Sequence, residues 1–377
     1  MGRSVTASLR LLLILLGVGG LLFALIPPTA PPSPSMPRVK VSADRSNFVL
    51  STGERFTPWG FNYLGLHDHL AEEDWHTPAG WHRIEKDFHE MKALGANVVR
   101  WHLQFETFMA GPTQPKPDQL ARLRKLLDLA RDTGLYLDLT GLNCFRLSRI
   151  PAWYDALSEA ERWASQAVFW EAVAGACANH PAVWCYNLMN EPIIGEPKPG
   201  EHPWLTGKLG EFHFVQRVSQ KPAGRDRDRI AEAWVKLLVG AIRKHDRQAL
   251  VTVGEIPWSQ TWPTAKPVFY TPRTARHLDF VSVHLYPGRN QLAKDRAALA
   301  AYDIGKPIVV EETFPLACTV EDLDRFMDAT AGTVDGWIGH YFGATVAEHR
   351  AGTKLADHLK AAALEHWQRK GAQVTRR

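Results

Sequence analysis

Eight apolar runs recur along the chain, and most are separated by stretches whose apolar residues return with helical spacing. The runs cover residues 56–62, 97–102, 135–142, 183–190, 249–254, 280–286, 308–312 and 336–342. Between them, 81–94, 118–133, 158–179 and 229–244 carry an apolar stripe that marks amphipathic helices. Near-continuous apolar runs, rather than alternating ones, are the pattern of parallel strands covered on both faces. Strand followed by helix, eight times over, predicts an α/β fold of the (β/α)8 TIM-barrel type. The rival is a doubly wound open sheet. It usually has fewer strands and a Gly-rich first turn, and neither fits here.

Ahead of the first run, residues 39–41 and 48–50 read as a short N-terminal β-hairpin, with Thr52-Gly53 as a turn signal, placed to plug the bottom of the barrel. The longest interruption is residues 193–224, rich in Pro and Gly and carrying Trp204, Phe212 and Phe214. It is expected as a loop forming a wall of a cleft on the catalytic face. No internal repeat and no second folded domain are visible, so residues 37–377 are expected as one barrel domain, acting as a monomer.

The first 36 residues differ in kind. Arg3 and Arg10 precede an uncharged apolar run over residues 11–26, and a Pro-rich, charge-free stretch follows to residue 37. That order fits a signal peptide or a signal anchor. The absence of an A-x-A cleavage site favours a retained transmembrane anchor with its basic end in the cytoplasm and a semi-rigid spacer after it. On either reading the barrel works outside the cytoplasm, membrane-anchored or secreted.

A net charge of +4, spread along the chain, gives no basis for nucleic-acid binding. The densest charge run, residues 225–229, alternates in sign and reads as a solvated helix start. Of the four cysteines, none forms a close C-x-x-C pair, so neither a zinc site nor a redox motif is indicated.

Two runs end abruptly on carboxylates: Tyr186-Asn187-Leu188-Met189-Asn190-Glu191-Pro192, and Pro307-Ile308-Val309-Val310-Glu311-Glu312-Thr313. In a barrel, residues at the C-terminal ends of strands converge on one open face. Two carboxyls delivered there suit hydrolysis of a glycosidic bond. One gives a proton to the leaving oxygen, and the other, ionised, attacks or stabilises the sugar carbon. Alternation along a strand lets only one of Glu311 and Glu312 face the barrel axis.

On these residues the chain, from about Val39 onward, resembles glycoside hydrolase family 5. The carriers are Asn190-Glu191-Pro192 closing strand four, Glu312 closing strand seven, His284-Leu285-Tyr286 on strand six and Arg100 on strand two. The resemblance implies Glu191 as acid/base, Glu312 as nucleophile and Asn190 as holder of the sugar 2-hydroxyl. The spacing Lys306-Pro307 to Glu312 selects Glu312 over Glu311. Arg100 and the Tyr286 hydroxyl are expected to keep Glu312 ionised, and His284 to order the pair or touch sugar. No metal or cofactor is implied.

Two positions depart from the family pattern. Asn143 stands near the end of strand three, where members often carry a paired His, and it resembles the Asn of some mannan-cleaving members. Strand eight offers His340 or Tyr341 where a Trp often floors the sugar site. Among the aromatics, Trp258, Trp262 and Trp101 are candidate sugar platforms, and Glu255 is a secondary candidate for sugar hydroxyls. The expected substrate is therefore a β-linked polysaccharide or oligosaccharide, a β-mannan or a β-glucan. The alternatives are a transglycosylase, a barrel that binds polysaccharide without cutting it, and a metal hydrolase built on His67-Asp68-His69. The last lacks the carboxylate that such enzymes need after strand eight, because Asp335 precedes that strand.

Overall fold

The computed structural model of the protein describes residues 36–65 and 70–375. Eight parallel strands close into a barrel: β1 (Trp59–Tyr63), β2 (Val98–Gln104), β3 (Tyr136–Asn143), β4 (Val183–Asn190), β5 (Leu250–Glu255), β6 (Val281–His284), β7 (Ile308–Glu312) and β8 (Gly336–His340). Each pairs with the next in sequence, and β8 returns to β1. The outer layer holds α1 (Pro78–Ala93), α2 (Pro117–Thr133), α3 (Glu159–Cys177), α4 (Arg227–Arg243), α5 (Leu292–Ala300), α6 (Val320–Ala329) and α7 (Leu355–Val374). Between β5 and β6 stand two four-residue helices instead, Trp258–Thr261 and Pro272–Ala275. The expected barrel is present. No helix among the described residues is long and apolar enough to cross a membrane. The apolar run at 11–26 and His67-Asp68-His69 lie outside the described residues.

Local chemistry sets the helix starts. Ser158 and Glu161 form a reciprocal capping box at the head of α3, and Thr77 accepts the Gly80 N–H ahead of Pro78 at the head of α1. Gly134 ends α2 in the left-handed conformation at φ +69°.

The N-terminal hairpin gains a third strand: Val39–Val41, Phe48–Leu50 and Arg55–Phe56 form one antiparallel sheet. The run read as residues 56–62 therefore splits. Phe56 joins this sheet, and Pro58, lacking an N–H, separates it from β1. The sheet seals the bottom of the barrel. Val39, Phe48 and Phe56 cluster with Val98, Trp184 and Phe280, which sit at the first residues of their strands or just before them. Phe48 meets Trp184 and Phe280 edge-on at centroid distances of 5.7 and 5.2 Å.

The segment expected as a Pro/Gly-rich loop folds as a second small sheet. Pro192–Ile194 pairs parallel with Phe212–Ser219, which pairs antiparallel with Leu205–Leu209. The alternation Phe212-His213-Phe214-Val215 is a strand signal that the Pro and Gly content masked. Trp204 does not line a cleft. It is buried, donates to Asp155 at 2.8 Å and stacks under the Arg162 guanidinium at 4.1 Å.

Candidate active site

Three strand pairings shift register near the open end of the barrel: β2 with β3 past His102, β4 with β5 past Thr252, and β6 with β7 past Val283. Bulges at a barrel rim re-aim side chains. On β7, Val310 pairs with Val283 and Glu312 pairs with His284, so Glu311 is the extra residue. The expectation that only one of Glu311 and Glu312 turns inward is thereby overturned. Both carboxylates reach Arg100, at 3.3 Å for Glu311 and 2.5 Å for Glu312.

Arg100 is the centre of the site. Its guanidinium is wholly buried in β2, and each of its three nitrogens donates to a side-chain oxygen. Nη1 donates to Glu312 Oε1 at 2.5 Å and Asn62 Oδ1 at 2.8 Å, Nη2 to Asn190 Oδ1 at 2.9 Å, and Nε to Thr140 Oγ1 at 2.9 Å. Burial opposes its charge, but Glu311, Glu312 and Asp138 outweigh burial and lock the proton on. A buried guanidinium is tolerated because its donors are met and its charge is paired.

Glu312 closes β7. Its Oε2 accepts from the Tyr286 hydroxyl at 2.7 Å, so Arg100 and Tyr286 occupy one oxygen each. Burial would favour the neutral acid, but His284 and Arg100 hold the carboxyl well below the usual carboxylate range. It is an anion at neutral pH. The Tyr286 hydroxyl in turn lies 3.2 Å from His340 Nε2. Burial, with Arg100 and His284, pulls His340 down to about 4, so its ring is neutral.

Glu191 takes a different backbone route. It leaves β4 at φ +49°, a left-handed conformation that a residue with a Cβ rarely adopts, and its N–H donates to the Gly254 carbonyl at 2.9 Å. Strain of this kind costs about 1–3 kcal/mol and is held where the surroundings over-determine it. The turn sets Glu191 Oε1 at 2.9 Å from His284 Nδ1. One oxygen of Glu191, one ring nitrogen of His284 and one oxygen of Glu312 all lie within 4.8 Å of one another. These groups are of kinds that bind metal ions, yet Arg100 and Tyr286 already take both oxygens of Glu312, so the donor set does not call for a cation.

The remaining candidates divide. Asn190 joins the cluster, its carbonyl accepting from Arg100 while its amide donates to the Phe214 carbonyl at 2.8 Å. Asn143 is buried in β3 and donates back to the Thr140 carbonyl at 2.8 Å, and no hydrogen bond among the described residues links it to the carboxylates. Trp258 lies to one side, over a groove of about 340 Å³ that it lines with Trp262, Ile193 and Arg227. Trp101 is core rather than platform, fully buried and stacked on Trp75. Glu255 is also structural. It is buried, both its oxygens accept backbone N–H groups, from Val268 and Phe269, and burial raises it to about 8.

Asn62, Asn187 and Gly254 are among the participants that escaped the sequence reading. Asn62 bridges Arg100 to the Glu311 and Gly339 carbonyls. Asn187 ties Glu311 to the Gly254 N–H. Gly254 itself admits no side chain, since a Cβ there would sit 2.7 Å from His284 Nε2. Polar residues inside apolar strands, Asn62 and Asn187 among them, were the available signal.

An anionic carboxylate and a second carboxyl, carried on β7 and β4 at the open end of a (β/α)8 barrel, define a hydrolase of glycosidic bonds. The chain belongs to the cellulase family, glycosyl hydrolase family 5, whose pattern matches residues 51–335. It is an O-glycosyl hydrolase. No curated protein matches it. In fold it is similar to an exo-β-1,4-mannosidase from Opitutaceae bacterium strain TAV5, with 16% identity over 89% of this chain and a TM-score of 0.63. The chain spans 62% of that protein's length. It is likewise similar to the catalytic domain of an endoglucanase from Thermobifida fusca, with 15% identity over 89% of this chain and 97% of that one and a TM-score of 0.56. A β-1,4-mannanase from the sea hare Aplysia kurodai gives 18% identity, 87% and 96% coverage and a TM-score of 0.58.

Proposed function

We propose that the protein cleaves a β-linked mannan or glucan with retention of configuration, Glu312 acting as nucleophile and Glu191 as acid/base. The observation that carries this reading is the spacing of the pair, one oxygen of each carboxyl lying within 4.8 Å of the other. Retaining pairs stand about 5–5.5 Å apart, and inverting pairs leave about 6.5–9.5 Å for a water. In the first step the Glu312 carboxylate bonds to the anomeric carbon while the glycosidic C–O bond breaks, and Glu191 gives its proton to the leaving oxygen. In the second, water attacks that carbon, Glu191 takes a proton from the water, and Glu312 leaves as a carboxylate. Arg100 and Tyr286 disperse the charge on Glu312 before and after attack.

Support for mannan over glucan comes from the β-1,4-mannosidase and the β-1,4-mannanase of like fold, and no longer from Asn143, whose amide turns back onto its own strand. The test is incubation with β-mannan, glucomannan, cellulose, β-1,3-glucan and xylan, with products read by mass. Short products from mannan support the reading. Products only from transfer to an added sugar acceptor point to a transglycosylase. Binding without products points to a carbohydrate-binding barrel.

The barrel works outside the cytoplasm on this proposal, tethered by residues 11–26. The support is the uncharged run itself, with Arg3 and Arg10 before it and the Pro-rich spacer after it. Recovery in the membrane fraction, released by detergent but not by salt, is the expected outcome; a soluble cytoplasmic protein contradicts it.

A further inference from the structure

Beneath the carboxyls that face the opening lies a second acidic pair. Asp138 sits within β3 and Glu311 just before Glu312 on β7, and neither side chain has exposed surface. Glu311 Oε2 accepts from Asn187 Nδ2 at 2.7 Å and faces Arg100 Nε at 3.3 Å and His284 Nε2 at 3.5 Å. Asp138 Oδ1 accepts from Thr140 Oγ1 at 3.1 Å, and the Cys185 thiol adjoins the same carboxyl. Their other oxygens, Asp138 Oδ2 and Glu311 Oε1, are buried and make no hydrogen bond, and Asp138 Oδ2 lies 4.0 Å from the Arg100 Nε that Glu311 Oε2 also faces.

Two adjacent buried carboxylates repel, and each lone oxygen costs free energy. A single proton between them removes both penalties. His284 lies against the same pair. Its Nδ1 is 2.9 Å from Glu191 Oε1 and 3.6 Å from Glu312 Oε1, and its Nε2, which is buried and makes no hydrogen bond, faces Glu311 Oε2 at ion-pair distance, 3.5 Å. A ring with a carboxyl oxygen on each nitrogen is matched by an N–H on both. The buried charges then balance, Arg100 and His284 against Glu311 and Glu312.

We propose that Asp138 and Glu311 hold one proton between them, and that the charge left on Glu311 makes it a positioning residue, keeping His284 doubly protonated so that Nδ1 donates to Glu191 Oε1 and leaves Oε2 to carry the acid proton. The inference rests on the glycosidase reading above. Electrostatics runs the same way. Burial and then Glu311 push Asp138 well above the carboxylate range. Glu311 goes down to about 2, burial being overcome by Arg100, His284 and Asp138. Burial works against a charge on His284, but Glu312, Glu191 and Glu311 raise it to about 9. The packing allows little slack: a Cβ on Gly254 would lie 2.7 Å from His284 Nε2, 3.1 Å from Glu311 Oε2 and 3.2 Å from Arg100 Nη2.

The experiment is a ¹⁵N NMR titration of the His284 ring in histidine-labelled protein, assigned by its loss in His284→Gln, with kcat measured alongside. In the unaltered protein both ring nitrogens are expected to be protonated at about pH 7. Glu311→Gln is expected to leave His284 neutral at that pH and to lower kcat on the order of a hundredfold. Asp138→Asn, whose amide N–H replaces the carboxyl O–H, is expected to titrate like the unaltered protein and to lose far less activity than Glu311→Gln. A neutral His284 in the unaltered protein overturns the proposal. So does an unmoved titration in Glu311→Gln, or Asp138→Asn shifting His284 as far as Glu311→Gln does. If Glu311→Gln does not fold, the other two titrations decide, and a His284 ring neutral at about pH 7 in Asp138→Asn overturns the proposal. The ring is read without substrate, so a protein that cleaves no glycan refutes the glycosidase reading while this result still stands or falls by itself.

Discussion

The same eight strands end in two opposite ways. At the bottom of the barrel their first residues, Val98, Trp184 and Phe280 among them, close over Phe48 in an apolar cluster. At the top, the last residues of β6 and β7 and the residue after β4 bring His284, Glu311, Glu312 and Glu191 together around Arg100 of β2. The bottom is held by apolar burial, which tolerates approximate shape. The top is held by matched charges and hydrogen bonds, where one missing partner strands another group in low dielectric. The bottom therefore supplies stability that any well-packed plug could provide, whereas the top spends stability on a fixed arrangement, down to the left-handed backbone of Glu191.

The largest expected effect is at the rim. Glu312→Gln and Glu191→Gln should each lower kcat on the order of 10⁴-fold or more while the protein stays folded, as circular dichroism would show. Near-normal turnover in either variant would remove that residue from the chemistry. Arg100→Ala sharpens the contrast with the bottom. It leaves Glu311 and Glu312 without their guanidinium, and should lower activity and also cost roughly 3–5 kcal/mol of stability. Phe48→Ala should cost a similar amount, about 3–5 kcal/mol, yet leave kcat within about twofold, since the apolar plug stands at the far end of the barrel. Denaturant melts and initial rates on both variants separate the two ends; equal losses of activity would mean that the plug shapes the site.

The smallest effect is in pH. His284 is raised from 6.5 to about 9 in the folded state, so its contribution to stability is complete below about 6.5 and is lost as pH rises through about 9. Glu311, lowered from 4.5 to about 2, contributes above about 4.5 and is lost as pH falls toward 2. Urea unfolding should thus show stability falling on both sides of a plateau between those limits, and His284→Gln should flatten the alkaline side.

Much of this was legible in the chain. The strand–helix alternation gave the barrel, and the apolar runs ending at Asn190-Glu191 and Glu312 gave the rim carboxyls, because burial on both faces leaves a strong one-dimensional signal. What stayed hidden depends on register. Nothing in Val309-Val310-Glu311-Glu312 announces a bulge, so strict alternation turned Glu311 away from the axis when both acids in fact reach Arg100. The segment 193–224 was misread because Gly210, in the turn of a hairpin, and Gly207, within its first strand, resemble loop composition. Glu255 also ends a strand, and only its contacts reveal that backbone N–H groups rather than sugar hydroxyls satisfy it.

The central claim is that two carboxyls at retaining distance, one anionic and one able to pass a proton, do the chemistry. Proton NMR of the anomeric signals during the first minutes of β-mannan cleavage tests it most directly. The account predicts that the β-anomer of the new reducing end appears first and mutarotates afterward to the mixture. The α-anomer appearing first would mean inversion, a water between the carboxyls and no covalent bond to Glu312, and would contradict the account.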